Sequence, residues 1–441
     1  MSQQYLRLEL LEGSMQEKEM KYYSLIDKVY SKKNLLKAYH RVNSNRGAPG
    51  IDGVTVKSFG EKLLEEIERL SEEIKSGEYM PMPLRRVEIP KADGKTRQLG
   101  IPTVRDRVVQ QSLKEILEPI FEERFHPSSY GYRKGRNAWQ AVEKAKAFAS
   151  KYGLCNVVEL DLSKCFDTLD HEKIIDSVAE RVSDGKILKL IRAMLKSGVM
   201  EDGVWKATET GSPQGGVISP LLANIYLDEF DQKMKARGIR IVRYADDILI
   251  FSKTQEEARE FLAIAINILE IDMKLKVNRN KTRITTLEEG FHFLGFEIKG
   301  ERVGIEKSRL KRFKGKVKGL TRRNQSTPVK EIVKELNPLL RGFASYFRIV
   351  DLQSTLRGLL SWIRRRLRAI ILHQWKSTKK LNRVLRRAGW EEKVNLRMNK
   401  WRSSHTKAVN YAIPNRFFEE MNLFDMTSYY HPLSKYPILD P

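Results

Sequence analysis

Asp246 and Asp247 stand side by side in the run Tyr244-Ala245-Asp246-Asp247. The stretches on either side, Ile239-Arg240-Ile241-Val242-Arg243 and Ile248-Leu249-Ile250-Phe251, are rich in β-branched and apolar residues. They read as two short strands joined by a tight acidic connection, a hairpin. Adjacent carboxylates at its tip repel one another. The apolar strands bring them near a core, where bare carboxylates are costly and a divalent cation is the usual remedy. Taken alone, the pair reads more readily as a solvated turn, because Asp is common in turns. Asp161 ends another strand-like run, 156–162. A carboxylate there either joins the first two or simply caps the helix that follows.

The rest of the chain supplies the elements that would hold these carboxylates. Residues 1–80 look helical, with Leu6, Leu8, Leu10, Leu11, Leu25, Val29, Leu35, Leu36 and Tyr39 as apolar positions. A loop at 43–53, rich in Gly and holding Pro49, is a shaped turn in which Asn45 and Arg46 are candidates for a phosphate contact; a plain connection is the competing reading. A helix over about 58–76 has Leu63, Leu64, Ile67, Leu70 and Ile74 at helical spacing and is ended by Gly77. Asp93-Gly94 between two extended runs predicts a hairpin, its arms studded with Arg85, Arg86, Lys91, Lys95 and Arg97. Such residues suit a solvated edge, and equally a pocket for a polyphosphate. After a helix over 104–125, Tyr130-Gly131-Tyr132-Arg133-Lys134-Gly135-Arg136-Asn137 mixes aromatic, small and basic residues as a nucleic-acid strand would require. Ser163 to His171 open a helix, and Gly211-Ser212-Pro213-Gln214-Gly215-Gly216 is a tight polar loop before a helix over 221–234. A helix over 255–272 leads to Leu275-Lys276-Val277-Asn278 and Lys281, and then to a further hairpin arm, Phe291 to Ile298, in which His292 reads as a sheet residue.

The charge is unevenly placed. The chain of 441 residues has a net charge of +25, and 41% hydrophobic residues leave room for two or three cored domains. Residues 301–410 hold 30 Lys and Arg against 7 Asp and Glu, whereas residues 1–300 hold 49 against 45. A near-neutral body with one basic module is the footprint of a nucleic-acid-binding protein. In that module Leu336, Leu339, Leu340, Phe343, Phe347 and Val350 form one helical face, and Leu356, Leu359, Leu360, Ile363, Leu367, Ile370 and Ile371 another. Arg364, Arg365, Arg366 and Arg368 fall mostly off the second face, and Tyr346, Trp362, Trp375, Trp390 and Trp401 are interleaved, a pattern that favours RNA. Cys155 and Cys165 form no metal-ligand or disulfide pattern, and a reducing cytoplasm is the expected setting. No secretory signal and no membrane-spanning run of about 18 apolar residues is expected.

In this order and spacing the pieces resemble a reverse transcriptase, most closely the group II intron-encoded reverse transcriptase/maturases. The resemblance rests on Arg-Arg-Val-Glu-Ile-Pro-Lys at 85–91, Arg-Gln-Leu-Gly-Ile-Pro at 97–102, Tyr-Gly-Tyr-Arg at 130–133, Asp-Leu-Ser-Lys-Cys-Phe-Asp at 161–167, Ser-Pro-Gln-Gly-Gly at 212–216, Tyr-Ala-Asp-Asp at 244–247 and Phe-Leu-Gly-Phe at 293–296. It implies an α+β right-hand polymerase: fingers and palm over 81–300 after an N-terminal extension (1–80), a helical thumb or maturase domain over 301–375, and a small helical DNA-binding domain over 376–441.

It also implies roles. Asp161, Asp246 and Asp247 would be the catalytic set holding two Mg²⁺ ions, with Mn²⁺ as a substitute. Arg85, Lys91, Arg97, Phe166 and Gln214 would meet the dNTP, Phe166 as the steric gate against a 2′-hydroxyl. Lys281 is the candidate general acid toward pyrophosphate, and Phe293, Leu294, Gly295 and Phe296 the primer grip. Asn45, Arg46, Tyr132, Arg133, Arg364, Arg365 and Arg366 would contact RNA or template. The expected partners are group II intron RNA, an RNA template with its DNA primer, and target DNA, in a bacterial cytoplasm and at the nucleoid, with no membrane. Ser212 and Cys165 depart from the residues common in the family. With two cysteines and a sequence that stops at Pro441, an endonuclease-less, class C-like member is expected. A free-standing domesticated or defence-associated polymerase and a splicing-only RNA-binding maturase are the alternatives.

Overall fold

The computed structural model describes residues 21–90, 96–201, 204–207, 211, 215–350, 353–375, 377–387, 410 and 413–429. Leu6 to Leu11, Lys91, the Asp93-Gly94 turn, Ser212, Gln214, Trp390, Trp401 and most of 376–441 lie outside them. The chain forms a mixed α/β fold in two compact units. The first runs to residue 144 and resumes from 156 to 284; the second takes 145–155 and the described residues from 285 on.

Eleven strands occur among the described residues: β1 (Leu84–Pro90), β2 (Thr96–Ile101), β3 (Asn156–Asp161), β4 (Val199–Glu201), β5 (Val204–Lys206), β6 (Arg240–Tyr244), β7 (Asp247–Ser252), β8 (Arg283–Thr286), β9 (Phe291–Phe293), β10 (Phe296–Lys299) and β11 (Arg302–Ile305). The basic hairpin forms as predicted, with Arg85 opposite Ile101 and Pro90 opposite Thr96, and it extends into a sheet of order β2-β1-β4-β5. A second sheet has the order β6-β7-β3-β8. Its strands β3, β6 and β7 bury Val157, Val158, Leu160, Ile241, Val242 and Ile248 to Phe251. Burial on both faces explains their continuous apolar composition.

Helix signals in the sequence end where local chemistry says they should. The helix α1 (Leu63–Ser76) stops at Gly77, whose φ of 83° is left-handed. In α2 (Val104–Glu122) the Thr103 hydroxyl accepts from the Asp106 amide. Pro220 sits in the first turn of α3 (Ser219–Ala236), where its missing N–H costs nothing. Thr254 and Glu257 cap α4 (Gln255–Asn267) reciprocally. Helix α3 is buried nearly all round and carries Asn224, Asp228 and Asp231 into the interior. Among the described residues no helix is long and apolar enough to cross a membrane.

The second unit pairs the sheet β11-β10-β9 with α5 (Lys307–Leu320), α6 (Val329–Tyr346), α7 (Gln353–Trp375) and α8 (Asn415–Glu420). Both predicted helical faces turn inward. Leu336, Leu340, Leu356, Leu359, Leu360, Ile363, Leu367, Ile370 and Ile371 are buried in one core, with Leu339 and Phe343 packed against it.

One polar cluster fixes the acidic hairpin of the first unit. Arg243, near the end of β6, is fully buried, as is Asp231 on α3. The Arg243 Nε donates to Asp231 Oδ1 at 2.8 Å and Oδ2 at 2.9 Å, and Nη2 to Oδ2 at 2.5 Å. Its Nη1 donates to Asn224 Oδ1 at 3.0 Å and to the Ala245 carbonyl at 3.2 Å. Asn224 Nδ2 in turn donates to the Gly131 carbonyl at 2.8 Å. Burial pulls the guanidinium pKa down, but Asp231 overrides it and leaves the pKa above its ordinary value, so the guanidinium stays charged. Removing one partner of such a pair costs about 3–5 kcal/mol, because the other is left buried and bare. Arg243→Met should therefore lower stability by about that amount in urea denaturation. Adding Asp231→Leu should recover much of the loss. An unchanged midpoint for the single variant would remove the pair from its structural role.

Candidate active site

The hairpin closes at Tyr244 opposite Asp247, so Ala245 and Asp246 form a two-residue turn. Ala245 has a φ of 57°, a left-handed conformation that costs a residue with a Cβ about 1 kcal/mol or more. The surroundings hold it there. A Cβ on Gly131 would lie 2.4 Å from the Ala245 nitrogen, so the 130–133 loop meets the turn backbone to backbone, and only glycine allows that approach. The loop is itself tied to β6, as the Tyr130 amide donates to the Arg243 carbonyl at 2.8 Å and the Arg243 amide to Ser128 at 2.9 Å.

Strand β3 lies beside β7 with Asp161 directly opposite Asp247. Residues so paired project from the same face with Cβ atoms about 5 Å apart. Asp246, at the turn, is half-buried; Asp247 is exposed. Like charges placed this way repel, and Lys281 answers them: its Nζ is 3.2 Å from Asp161 Oδ2. Asn278 Nδ2 donates to the same oxygen at 3.0 Å, and the Asn278 amide donates to the Asp161 carbonyl at 2.8 Å. Among the described residues no three His, Cys, Asp or Glu side chains converge on a single point as a pre-built metal cage would. The donor set nonetheless fits Mg²⁺, which takes one or two carboxylates and fills its shell with water and substrate oxygens.

Phe166 follows directly. The short helix Cys165–Thr168 begins after Lys164, at φ 51°, and places Phe166 in a cleft shared with Asp246, Asn224, Leu227, Ala245 and Tyr132. Cys165 in the same cleft is inert, since burial and then the charge of Asp246 push its thiol up to about 12. Arg85 and Arg97 sit on β1 and β2, with the Arg97 backbone opposite Ile89. Arg86 pairs with Glu201 at 3.5 Å. Lys91 and Gln214 lie outside the described residues, though neighbouring Gly215 packs its backbone against the Gly100 carbonyl of β2.

Several expected nucleic-acid contacts are placed elsewhere. Arg133 is turned inward: it is 7% exposed, and its Nε and Nη2 grip Glu122 at 2.7–3.1 Å while Nη1 donates to the His126 and Ser129 carbonyls. Its guanidinium finds five acceptors at home and shapes the loop. Tyr132 beside it stays 50% exposed. Asn45 and Arg46 are exposed at the end of the helix Lys32–Ser44. On α7, Arg366 Nε and Nη2 bond to Thr321 at 2.6 and 2.7 Å, Arg364 pairs with Glu419 at 3.3 Å, and Arg368 is buried against Ile413 and Asn415. Arg365 is half-buried. The expected charged outer face of this helix is therefore largely engaged within the unit. Helix α5 exposes a run of charge: its Phe313 and Val317 face the core while Lys307, Lys311, Arg312, Lys316 and Lys318 face out. In the second hairpin Phe293 and Phe296 are core residues, Phe296 stacking on Tyr346 at 5.4 Å. Its turn has Leu294 at φ 53° and half-buried and Gly295 at φ 83° and buried, and the Tyr346 hydroxyl donates to the Leu294 carbonyl at 2.8 Å.

Sequence reasoning passed over Arg243, Asp231, Asn224 and Asn278. A signal existed for two of them. Arg243 follows the apolar pair Ile241-Val242, and Asp231 stands one residue after Phe230 on a helix whose preceding turns are mostly apolar.

Residues 89–298 match the family described as reverse transcriptase (RNA-dependent DNA polymerase), and residues 310–389 match the group II intron, maturase-specific domain. The chain is 37% identical over 294 residues to protein YkfC of Escherichia coli, a match covering 58% of this chain and 77% of that one. It is 31% identical over 352 residues to the group II intron-encoded protein LtrA of Lactococcus lactis, covering 64% of this chain and 57% of that protein. A putative COX1/OXI3 intron 2 protein of Saccharomyces cerevisiae is 28% identical over 326 residues, 60% of this chain and 38% of that one. This chain thus spans less than two thirds of the latter two relatives. With its acidic hairpin, paired third carboxylate and basic helical module in family order, the chain belongs to the group II intron-encoded reverse transcriptase/maturases.

Proposed function

We propose that this protein copies RNA into cDNA for a group II intron and binds the intron RNA to assist splicing and retrohoming into target DNA. The observation that carries the catalytic reading is Asp161 directly opposite Asp247, with Asp246 at the adjoining turn, in the segment that matches reverse transcriptases. In this reading residues 81–300 act as fingers and palm, 301–375 as thumb or maturase domain, and 376–441 as a DNA-binding domain. Asp161, Asp246 and Asp247 would hold two Mg²⁺ or Mn²⁺ ions, which when bound supply charge stabilisation for the attacking and leaving oxygens. Lys281 rests on Asp161, and in this reading it is the general acid that gives the leaving pyrophosphate a proton. Phe166 lines the same cleft as Asp246 and in this reading acts as the steric gate against a ribose 2′-hydroxyl. Arg85, Lys91 and Arg97 carry positive charge to the triphosphate, and Gln214 takes the base or template side. The turn Leu294-Gly295 meets the primer.

RNA affinity is assigned to α5 more than to Arg364, Arg365 and Arg366. Arg364 and Arg366 spend their donors within the protein, while Lys311, Lys316 and Lys318 are exposed. Asn45 and Arg46 remain exposed candidates at the N-terminal loop. A net charge of +25 suits work on nucleic acid in the cytoplasm or at the nucleoid.

Asp246→Ala should lower primer extension on an annealed RNA template by at least about a thousandfold while circular dichroism stays native; undiminished synthesis by the folded variant would sink the site assignment. Phe166→Ala should erode the preference for dNTP over rNTP by about one to two orders of magnitude, measured as the ratio of kcat/KM values; an unchanged ratio rejects the gate. Lys311→Ala with Lys318→Ala should weaken binding across RNA sequences and flatten the log–log salt dependence of the binding constant by about one per lysine removed. An unaltered slope would move the contact surface off α5.

A further inference from the structure

Tyr132 has the least comfortable backbone of the 130–133 loop: its φ is 58°, a left-handed value for a bulky aromatic residue. Tyr130 and Arg133 are buried and Gly131 is pinned against Ala245, yet Tyr132 between them is 50% exposed. Its flanks are rigid on both sides. The Gly131 carbonyl is held by Asn224, and the Arg133 guanidinium by Glu122, His126 and Ser129. The ring is thereby aimed rather than left to wander, and it lies edge-on to Phe166, with centroids 6.3 Å apart and planes 81° to each other. Both rings line the cleft that contains Asp246. Phe166 itself sits on a helix of only four residues, entered through the left-handed Lys164, so its own element offers the ring little lateral support.

We infer that Tyr132 is a specificity-positioning residue: its ring braces Phe166 edge-on, so that exclusion of a 2′-hydroxyl depends on the aromatic pair and not on Phe166 alone. The inference rests on the reading of Phe166 as the sugar gate. Without the brace, Phe166 can tip away when a ribose presses on it, whereas a deoxyribose leaves it undisturbed. Loss of Tyr132 therefore acts on the ribonucleotide and spares the deoxynucleotide. An aromatic edge contact of this kind corresponds to a change in discrimination of about three- to tenfold.

Glycine accepts the positive φ without strain, so Tyr132→Gly removes the ring while keeping the loop's backbone. The full-length protein, on an annealed RNA template with DNA primer, should show this variant losing about three- to tenfold in the dNTP-to-rNTP ratio of kcat/KM. The change should come from a lower KM for the rNTP, and Tyr132→Phe should restore the ratio because the edge contact needs no hydroxyl. Phe166→Ala is measured alongside. If Phe166→Ala opens the site to rNTPs and Tyr132→Gly leaves the ratio at the wild-type value, the brace is overturned and the gate stands. If Tyr132→Gly lowers kcat/KM for both nucleotides equally, Tyr132 serves only the loop's structure and the inference again fails. If Phe166→Ala leaves the ratio unchanged, the gate falls and the brace with it.

Discussion

The acidic hairpin depends on a charge pair that no solvent reaches. Arg243 and Asp231 are both fully buried, and the energy of burying the charged guanidinium is recovered because each of its three nitrogens donates to an acceptor at hydrogen-bond distance. One of those acceptors is the carbonyl of Ala245, in the turn itself. Another, Asn224, passes the connection on to Gly131. The pair thus joins α3, the hairpin and the 130–133 loop at a single point. A hydrophobic pair of the same volume could fill the space. It could not specify where the turn carbonyl must lie, and that carbonyl sets the direction of the carboxylate one residue away.

The same economy explains the strain around the site. Ala245, Tyr132 and Lys164 all hold positive φ values that residues with a Cβ avoid, and all three flank the cleft beside Asp246. Such conformations persist only when neighbouring contacts leave no alternative. Here the neighbours are Gly131 pressed on Ala245 and the locked Arg133 beside Tyr132. At Asp161, by contrast, the geometry is relaxed and charge is the issue: Lys281 and Asn278 hold its carboxylate opposite Asp247. Preorganisation of this kind lets an oxygen ligand be in place before substrate arrives.

The basic module shows how far charge counting reaches. Residues 301–410 carry nearly all of the excess positive charge, but individual arginines behave in opposite ways. Arg366 and Arg368 spend donors on backbone carbonyls and side-chain oxygens of neighbouring segments, and their guanidinium groups lie over the rings of Trp362 and Phe418. Arginine has a long apolar stem and a fork of donors, so it can knit helices together as readily as it can meet a phosphate. The lysines of α5 have no comparable work and remain at the surface.

Sequence alone determined most of the elements and the family. Period-two and period-3.6 patterns, Gly77, Pro220 and the Thr254–Glu257 box are local signals, and the strands, helix ends and apolar faces they implied are where the chain puts them. The family order of short motifs likewise reaches the correct family, because each motif keeps its residue types and spacing without help from the fold. Tertiary structure decided the pairing of Asp161 with Asp247, the burial of Arg243 on Asp231, the inward turn of Arg133 and the placing of Tyr132 against Phe166. Each of these joins residues far apart in the chain or chooses between two faces of one side chain. Neither is written in local periodicity, since burial and partnership are properties of the packed whole.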